Sequence, residues 1–171
     1  MSNLNSLQNY AEGTDVQRFM AQRGAVIVKE MKDIGKIRGV YASSVKASTM
    51  IISVSKESEK DTRYAVKVER STGGRGDGGS VLLDFDELDE VINACDFIMS
   101  SAVDLSSQQK EYTEVTYLTR DSALFGFYQN QQIQQSFVRV APQDEIIPIE
   151  TEKFRDLKQL LINAKEHLLS S

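Results

Sequence analysis

The chain has few of the residues on which disulfide, metal and nucleophile chemistry usually depends. Among its 171 residues are one cysteine, one histidine and two prolines. A single cysteine, Cys95, excludes an intramolecular disulfide and a cysteine metal cluster. Cys95 lies on the apolar stripe of a predicted helix, and His167 is predicted in the last turn of the final helix, where it complements the helix dipole. The sequence therefore predicts no metal ion, no cofactor and no catalytic residues.

Long apolar runs are also missing. No stretch approaches the roughly 18 apolar residues that a membrane-spanning helix needs. The polar segment Met1 to Tyr10 lacks the cationic start and apolar centre of a signal peptide. We therefore expect a cytoplasmic protein that does not enter the membrane, although a secreted protein without its leader would have the same sequence.

Charge is distributed unevenly. Residues 1–80 contain 13 Lys and Arg against 9 Asp and Glu, whereas residues 81–171 contain 7 against 16. The net charge of −5 therefore combines a basic first half with an acidic second half. Such asymmetry indicates either a face that binds a polyanion or the ordinary solvation of exposed strands.

The periodicity of apolar residues predicts an α+β fold built on antiparallel sheets. A short helix is predicted at Asp15–Arg23, with Thr14 or Asp15 as its N-cap. Arg63–Arg70 shows the clearest alternation of a strand with one buried face. Asp84 and Glu87 have capping-box spacing and begin a long helix that ends near Ala102. A final helix is predicted from Thr151 to Leu169. The remaining predicted strands of the first half are Ala25–Val28, Ile37–Lys46, Thr49–Val54 and Ser80–Asp84. Those of the second half are Tyr112–Thr119, Leu124–Tyr128, Ser136–Val140 and Ile146–Ile149.

The predicted order is four or five strands, a helix, three or four strands and a second helix, with both helices packed on the sheets. We expect a flexible N-terminus over residues 1–14 and one domain over 15–171, in which 25–102 and 111–169 form two pseudo-repeats. A barrel capped by the final helix, as in pleckstrin-homology-like modules, is the alternative fold. The long central helix argues against it.

A glycine-rich segment, Gly73 to Gly79, is the most conspicuous local motif. Gly74, Gly76 and Gly79 have the spacing of a dinucleotide-binding loop, but a strand follows them instead of the helix on which phosphate would bind. The same segment contains the tripeptide Arg75-Gly76-Asp77, which resembles integrin-binding loops. Ordinary turn chemistry explains the segment more simply.

Carboxylates cluster at the start of the long helix. Their spacing does not fit a calcium-binding loop. Acidic residues at a helix start are stabilised by capping and by the helix dipole, so we expect a structural role. The cluster consists of Asp84, Asp86, Glu87, Asp89 and Glu90.

Aromatic residues concentrate in the second group of strands, and basic residues in the first. Aromatic side chains on a sheet can stack on bases while cations hold the phosphates, which is how many proteins bind single-stranded nucleic acid. Core packing is the competing explanation for the aromatics. The candidate nucleic-acid-binding residues are Arg38, Lys46, Arg63, Lys67 and Arg70.

The order of elements from Ala25 to Leu169 resembles the doubled strands-plus-helix architecture of the Whirly and Pur-alpha proteins. This resemblance implies binding of single-stranded nucleic acid. The function we expect is a non-catalytic binding or interaction domain, with single-stranded nucleic acid or another protein, including a second copy of the chain, as the partner. An enzyme that uses carboxylates of the second half is the other alternative.

Overall fold

Two four-stranded antiparallel sheets, each followed by a long helix, make up the protein. The computed structural model describes residues 13–71 and 77–171. In these residues the four strands of each sheet lie side by side in the order in which they occur along the chain. The predicted α+β class and the order of the elements are therefore confirmed. The alternative of a single capped barrel is wrong, because the strands form two separate sheets.

The first sheet is built from three long strands and one shorter strand. A short helix, α1 (Asp15–Met20), precedes it. The strands are β1 (Val26–Arg38), β2 (Ser44–Lys56), β3 (Glu59–Ser71) and β4 (Asp77–Asp84).

The second sheet follows a single turn of 3-10 helix (Phe85–Glu87) and the long helix α2 (Leu88–Leu105). Its last strand is the shortest and is followed by the final helix. The elements are β5 (Lys110–Leu118), β6 (Leu124–Gln131), β7 (Ile133–Arg139), β8 (Ile147–Ile149) and α3 (Lys153–Leu169).

Each long helix packs on the sheet of the other half of the chain. Helix α2 contacts β5 and β6, α3 contacts β1 and β2, and the two helices contact each other. Leu157 and Leu161 of α3 and Val91 and Cys95 of α2 belong to one buried cluster that includes apolar residues of both sheets. The two halves thus share a hydrophobic core, while the predicted boundaries of the domain and of the pseudo-repeats stay predictions.

The predicted strand Ile37–Lys46 is wrong, because it spans a hairpin turn. In the structure β1 continues from Val26 to Arg38, residues 39–43 form the turn, and β2 begins at Ser44. The first sheet therefore has four strands and not five. Most side chains of β1 are exposed on both faces, so no alternation of apolar and polar residues marks the strand.

The connection between β2 and β3 is short. Only Glu57 and Ser58, with φ of 51° and 70°, separate the two strands. Of the glycine-rich segment, residues 72–76 lie outside the described ranges, while Gly78 and Gly79 belong to β4.

The predicted start of α2 is confirmed. The backbone N–H of Asp84 donates to Glu87 Oε1 at 3.0 Å, which completes the capping box. The predicted apolar stripe is buried at Leu88, Val91 and Cys95. Burial raises the pKa of the Cys95 thiol to about 12, as expected for a side chain that packs and does not react.

A buried carboxylate cluster joins three distant parts of the chain. Asp84 accepts hydrogen bonds from the backbone N–H groups of Asp15 and Val16, at 2.9 and 3.0 Å, and so caps α1. Glu87 accepts from the backbone N–H of Arg120 at 3.3 Å, and the Arg120 guanidinium donates to Asp84 at 3.2 Å. Burial raises the pKa of Glu87 above its ordinary value, although its hydrogen bonds oppose the shift. The predicted structural role of these acids is thus seen in their contacts.

We expect Arg120→Ala to lower the free energy of unfolding by about 2–3 kcal/mol, because the buried carboxylates of Asp84 and Glu87 lose a charged donor. Urea denaturation would measure the loss. Lys165→Ala is the matched control, since Lys165 pairs with the exposed carboxylate of Asp89 and such a pair contributes about 1 kcal/mol or less. Equal losses in both variants would show that the cluster does not depend on Arg120.

Candidate nucleic-acid interface

Four of the five candidate basic residues lie on one face of the first sheet. Directly paired residues of neighbouring strands point to the same side of a sheet. The β2 positions 44, 46, 48 and 52 alternate along the strand and therefore lie on one side, which includes Lys46. On that side Ser44 pairs with Arg38 of β1, and positions 46, 48 and 52 pair with Glu69, Lys67 and Arg63 of β3. We call this side, which faces away from α3, the outer face.

Arg70 lies on the opposite side. It pairs with Val45, which belongs to the core that α3 covers. Its Nε atom is buried and has no hydrogen-bond partner among the described residues. The structure therefore separates Arg70 from the other four candidates.

Helix α1 covers one end of the outer face. Val16 packs with Met50, Ile52 and Ala65 in a second apolar cluster, which α1 closes. At this end the guanidinium of Arg63 lies 4.7 Å from the centre of the Phe19 ring. Its Nη1 atom also lies 2.6 Å from Asp61, so Arg63 is already engaged by its neighbours.

The other end of the outer face is open and concave. The pairing of β1 with β2 shifts between Asp33 and Gly35, and such a bulge bends a strand and increases its twist. Next to the bulge is a cavity of about 510 Å³. We call it the basic concavity; its lining is Asp33, Ile34, Gly35, Lys36, Ser44, Lys46 and Ser71.

Of the four basic residues at this open end, two have an acidic partner and two have none among the described residues. Lys46 lies 3.2 Å from Asp33, and Lys67 lies 2.8 Å from Glu69. By contrast, Lys36 and Arg38 form no ion pair with any residue in the described ranges. They are the charges that an anionic ligand would meet first, and sequence reasoning chose Arg38 but not Lys36 as a candidate.

The hairpin between β1 and β2 presents an aromatic residue beside these cations. Tyr41 is 96% exposed, three residues beyond Arg38. It and Ala42 have φ of 53° and 60°, and the Ser43 N–H donates to the Val40 carbonyl at 3.2 Å. This geometry is that of a type I′ turn, which favours Asn-Gly. A Tyr-Ala pair in this turn is therefore strained.

The hairpin is also fixed to the second sheet. The Val40 N–H donates to the carbonyl of Pro148 in β8 at 3.2 Å. Tyr41 thus projects into solvent from an anchored turn. Sequence reasoning missed it because the predicted strand ran across the turn; the turn-forming residues Gly39 and Ser43 on either side were the signal that could have shown it.

The aromatic residues of the second sheet divide between its two faces. Phe125 and Phe127 are buried in the shared core, which confirms core packing for these two. Tyr112 and Tyr128 stack on the other face, with ring centres 6.2 Å apart. The exposed aromatics of the second sheet and the basic residues therefore lie on different sheets, and the structure does not bring them together into the platform that the sequence indicated.

Gly126 lies between the two buried phenylalanines, in regular register with Thr116 and Phe137. A methyl group there would overlap the carbonyl oxygen of Val115. The close approach of the β5 backbone therefore favours glycine at this position.

Three carboxylates of the described residues converge closely enough to suggest a cation site. Single oxygen atoms of Asp15, Asp84 and Asp86 lie within 4.8 Å of one another. Arg120 donates to Asp84 and, at 2.7 Å, to Asp86. The positive charge among these carboxylates is thus supplied by the protein itself.

None of the helices in the described part of the chain is long and apolar enough to cross a membrane. The chain matches no protein-family model, and comparisons with curated proteins and with solved structures give no match. The argument for function therefore depends on the geometry of the outer face.

If Tyr41-Ala42 is strained, relieving the strain should stabilise the protein. We expect Ala42→Gly to raise the free energy of unfolding by about 0.5–1 kcal/mol, because glycine adopts positive φ without a steric penalty. Thermal denaturation would measure the gain. Ala47→Gly is the matched control: Ala47 is buried in β2, so the same replacement there should destabilise.

Proposed function

We propose that the protein is a non-catalytic binding domain that holds a single strand of nucleic acid along the open end of the outer face. The observation that carries this proposal is the position of Lys36 and Arg38, two cations without acidic partners in the described chain, on the strand that leads to the exposed Tyr41. The phosphates lie in the basic concavity, and a base stacks on Tyr41.

The chemistry of the basic concavity suits a phosphate backbone. Lysine and arginine displace counterions from the phosphates, which supplies most of the affinity in sequence-independent binding. The hydroxyl groups of Ser44 and Ser71 line the same cavity and are able to donate hydrogen bonds to phosphate or sugar oxygens.

A single strand fits the arrangement better than a duplex does. A base can stack on an aromatic side chain only when its face is free, and in a duplex both faces of an interior base are already stacked. Tyr41 offers such a surface, and because its turn is anchored the turn does not have to be ordered on binding. The entropy cost of binding is therefore lower, which favours affinity.

The distribution of charge favours the first sheet as the binding surface. The excess of acid lies in residues 81–171, so the second half repels a polyanion and the first half attracts it. Because Lys46 and Lys67 are partly neutralised by Asp33 and Glu69, we expect moderate affinity that depends strongly on salt.

The element order also supports the proposal. Four strands and a helix, repeated, is the order on which the resemblance to the Whirly and Pur-alpha proteins rests. We also propose that the chain is related to these single-strand-binding proteins. The binding experiments below test whether it shares their function.

Removing the free cations should weaken binding and its salt dependence. We expect Lys36→Ala and Arg38→Ala each to reduce the slope of log affinity against log salt by about 1, since each change removes one phosphate contact. Fluorescence anisotropy with labelled single-stranded DNA and RNA over a range of salt would measure this. Arg155→Ala is the control: it removes the same charge from α3, on the other side of the first sheet.

The structure also predicts an order among the original candidates. Arg63→Ala should have less effect than Arg38→Ala, because Arg63 is bound to Asp61 and Phe19. Loss of affinity in the Arg155 variant equal to that in the Lys36 and Arg38 variants would mean that only net charge matters. Absence of binding to any single strand at low salt would refute the proposed function.

Tyr41 should contribute through stacking and not through charge. We expect Tyr41→Ala to weaken binding roughly 5- to 150-fold, the equivalent of about 1–3 kcal/mol for one stacked base, with an unchanged salt slope. Tyr41→Phe keeps an aromatic ring and should bind nearly as well as the natural protein. If Tyr41→Ala binds normally, the hairpin takes no part in the interface.

A further inference from the structure

The outermost strands of the two sheets differ in how their free edges are protected. An edge strand presents unpaired backbone groups that invite pairing with another chain, and most proteins block them. On β4 the N–H of Gly79 donates to Asp144 at 3.1 Å, and that of Leu82 donates to Asp121 at 2.8 Å. Carboxylates from loops of the second half thus occupy this edge.

Two further edges are protected by other means. Strand β8 is three residues long and contains Pro148, which has no N–H to offer. Strand β1 carries Lys29, Lys32 and Lys36 and is interrupted by the bulge at Asp33–Gly35. Lysines and bulges are common means of discouraging strand addition.

Strand β5 is protected only at its start, where a lysine, Lys110, precedes a register shift between Lys110 and Tyr112. Its pairing with β6 is regular from Tyr112 to Leu118, and the side chains of these two residues are 56% and 59% exposed. Beside it runs a mainly apolar groove of about 290 Å³ between β5 and α2. The groove is lined by Glu90, Asn93, Ala94, Phe97 and Ile98 of α2 and by Val115, Thr116 and Tyr117 of β5.

We propose that β5 pairs with β5 of a second copy of this chain, antiparallel about a two-fold axis at Val115. The two second sheets then join into one continuous eight-stranded sheet. The same surface serves both copies, as a two-fold interface requires. This inference concerns a different surface from the outer face of the first sheet and does not depend on the proposed function.

The charges along β5 select this register. With Val115 at the axis, Tyr112 lies opposite Leu118 of the second copy and Glu114 opposite Thr116, so no like charges meet between residues 112 and 118. A shift of the axis to Glu114 would place two carboxylates directly opposite each other, which is destabilising. The shift would also separate the exposed apolar side chains of Tyr112 and Leu118.

The groove explains why the partner is a second copy. A two-fold axis perpendicular to the sheet places both α2 helices on the same side of the joined sheet. Phe97 of α2 is 65% exposed. In the dimer it covers apolar surface beside β5 of the second copy as well as beside β5 of its own chain. Aromatic side chains in such positions usually supply much of the energy of an interface.

Cysteine cross-linking tests the register directly. Residues directly opposite each other in antiparallel strands have Cα atoms roughly 4.5–5.5 Å apart, within disulfide range. We expect Val115→Cys to form a covalent dimer under mild oxidation. Glu114→Cys is the matched control, because residues 114 of the two copies would be diagonal neighbours roughly 7–8 Å apart. The buried native Cys95 gives little background.

The oligomeric state of the full chain tests the interface itself. Sedimentation should show a dimer, and Phe97→Asp should raise its dissociation constant at least about tenfold. Val103→Asp is the control, since Val103 is 71% exposed on α2 and lines a different cavity. Circular dichroism would verify that both variants fold.

Three outcomes would overturn the proposal. A chain that stays monomeric up to the highest concentration at which it remains in solution, with no covalent dimer from Val115→Cys, would leave the edge to another kind of partner. A dimer that Phe97→Asp does not weaken would place the interface elsewhere. Equal cross-linking at positions 114 and 115 would contradict the register.

Discussion

The buried carboxylate of Asp84 is the constraint on which the arrangement of the first half depends. It ends β4, begins the capping box of α2, accepts the first amides of α1 and receives a hydrogen bond from Arg120 in the second half. A buried carboxylate is stable only when its oxygens are fully engaged. The position of α1 is therefore fixed, and with it the division of the outer face into a covered end and an open end. Because α1 is short and lies at the far end, it leaves the basic concavity beside the β1 bulge uncovered.

The exchange of helices between the halves is the second constraint. An isolated four-stranded sheet would leave its inner face bare, and here that face is covered by the helix of the other half. The exchanged helices supply the apolar contacts between the halves, and polar contacts add to them, both in the buried cluster of Asp84, Glu87 and Arg120 and in the ion pair of Lys158 with Asp96 at 2.8 Å. Neither long helix covers the outer face of the first sheet.

Sequence patterns revealed the elements whose burial is periodic. The capping box at Asp84 and Glu87 and the apolar stripe of α2 were readable because a helix buries every third or fourth residue. Only the start of β1 was readable, as Ala25–Val28, since both faces of the strand are largely exposed and its side chains carry no alternating signal. Because the end of β1 was not found, the turn at Tyr41, three residues beyond Arg38, was hidden as well.

The candidate site could be predicted only in part for a similar reason. Alternation placed Arg63 and Lys67 on one face of their strand, but Arg70 follows Glu69 in β3 and so points to the other side. The engagement of Arg63 by Phe19 depends on where α1 docks, and that contact comes from residues distant in sequence. Register and docking are long-range properties, whereas periodicity is local.

The exchanged helices also govern when the protein is able to fold during its synthesis. The first sheet is complete once β4 has left the ribosome, yet the face opposite its outer face is covered by α3, which follows all eight strands. Until residues 153–169 emerge, the apolar side chains of β2 and β3 have no native partner helix. A nascent chain of this protein therefore carries exposed apolar surface until α3 has been synthesised, and the core of the first sheet closes only then.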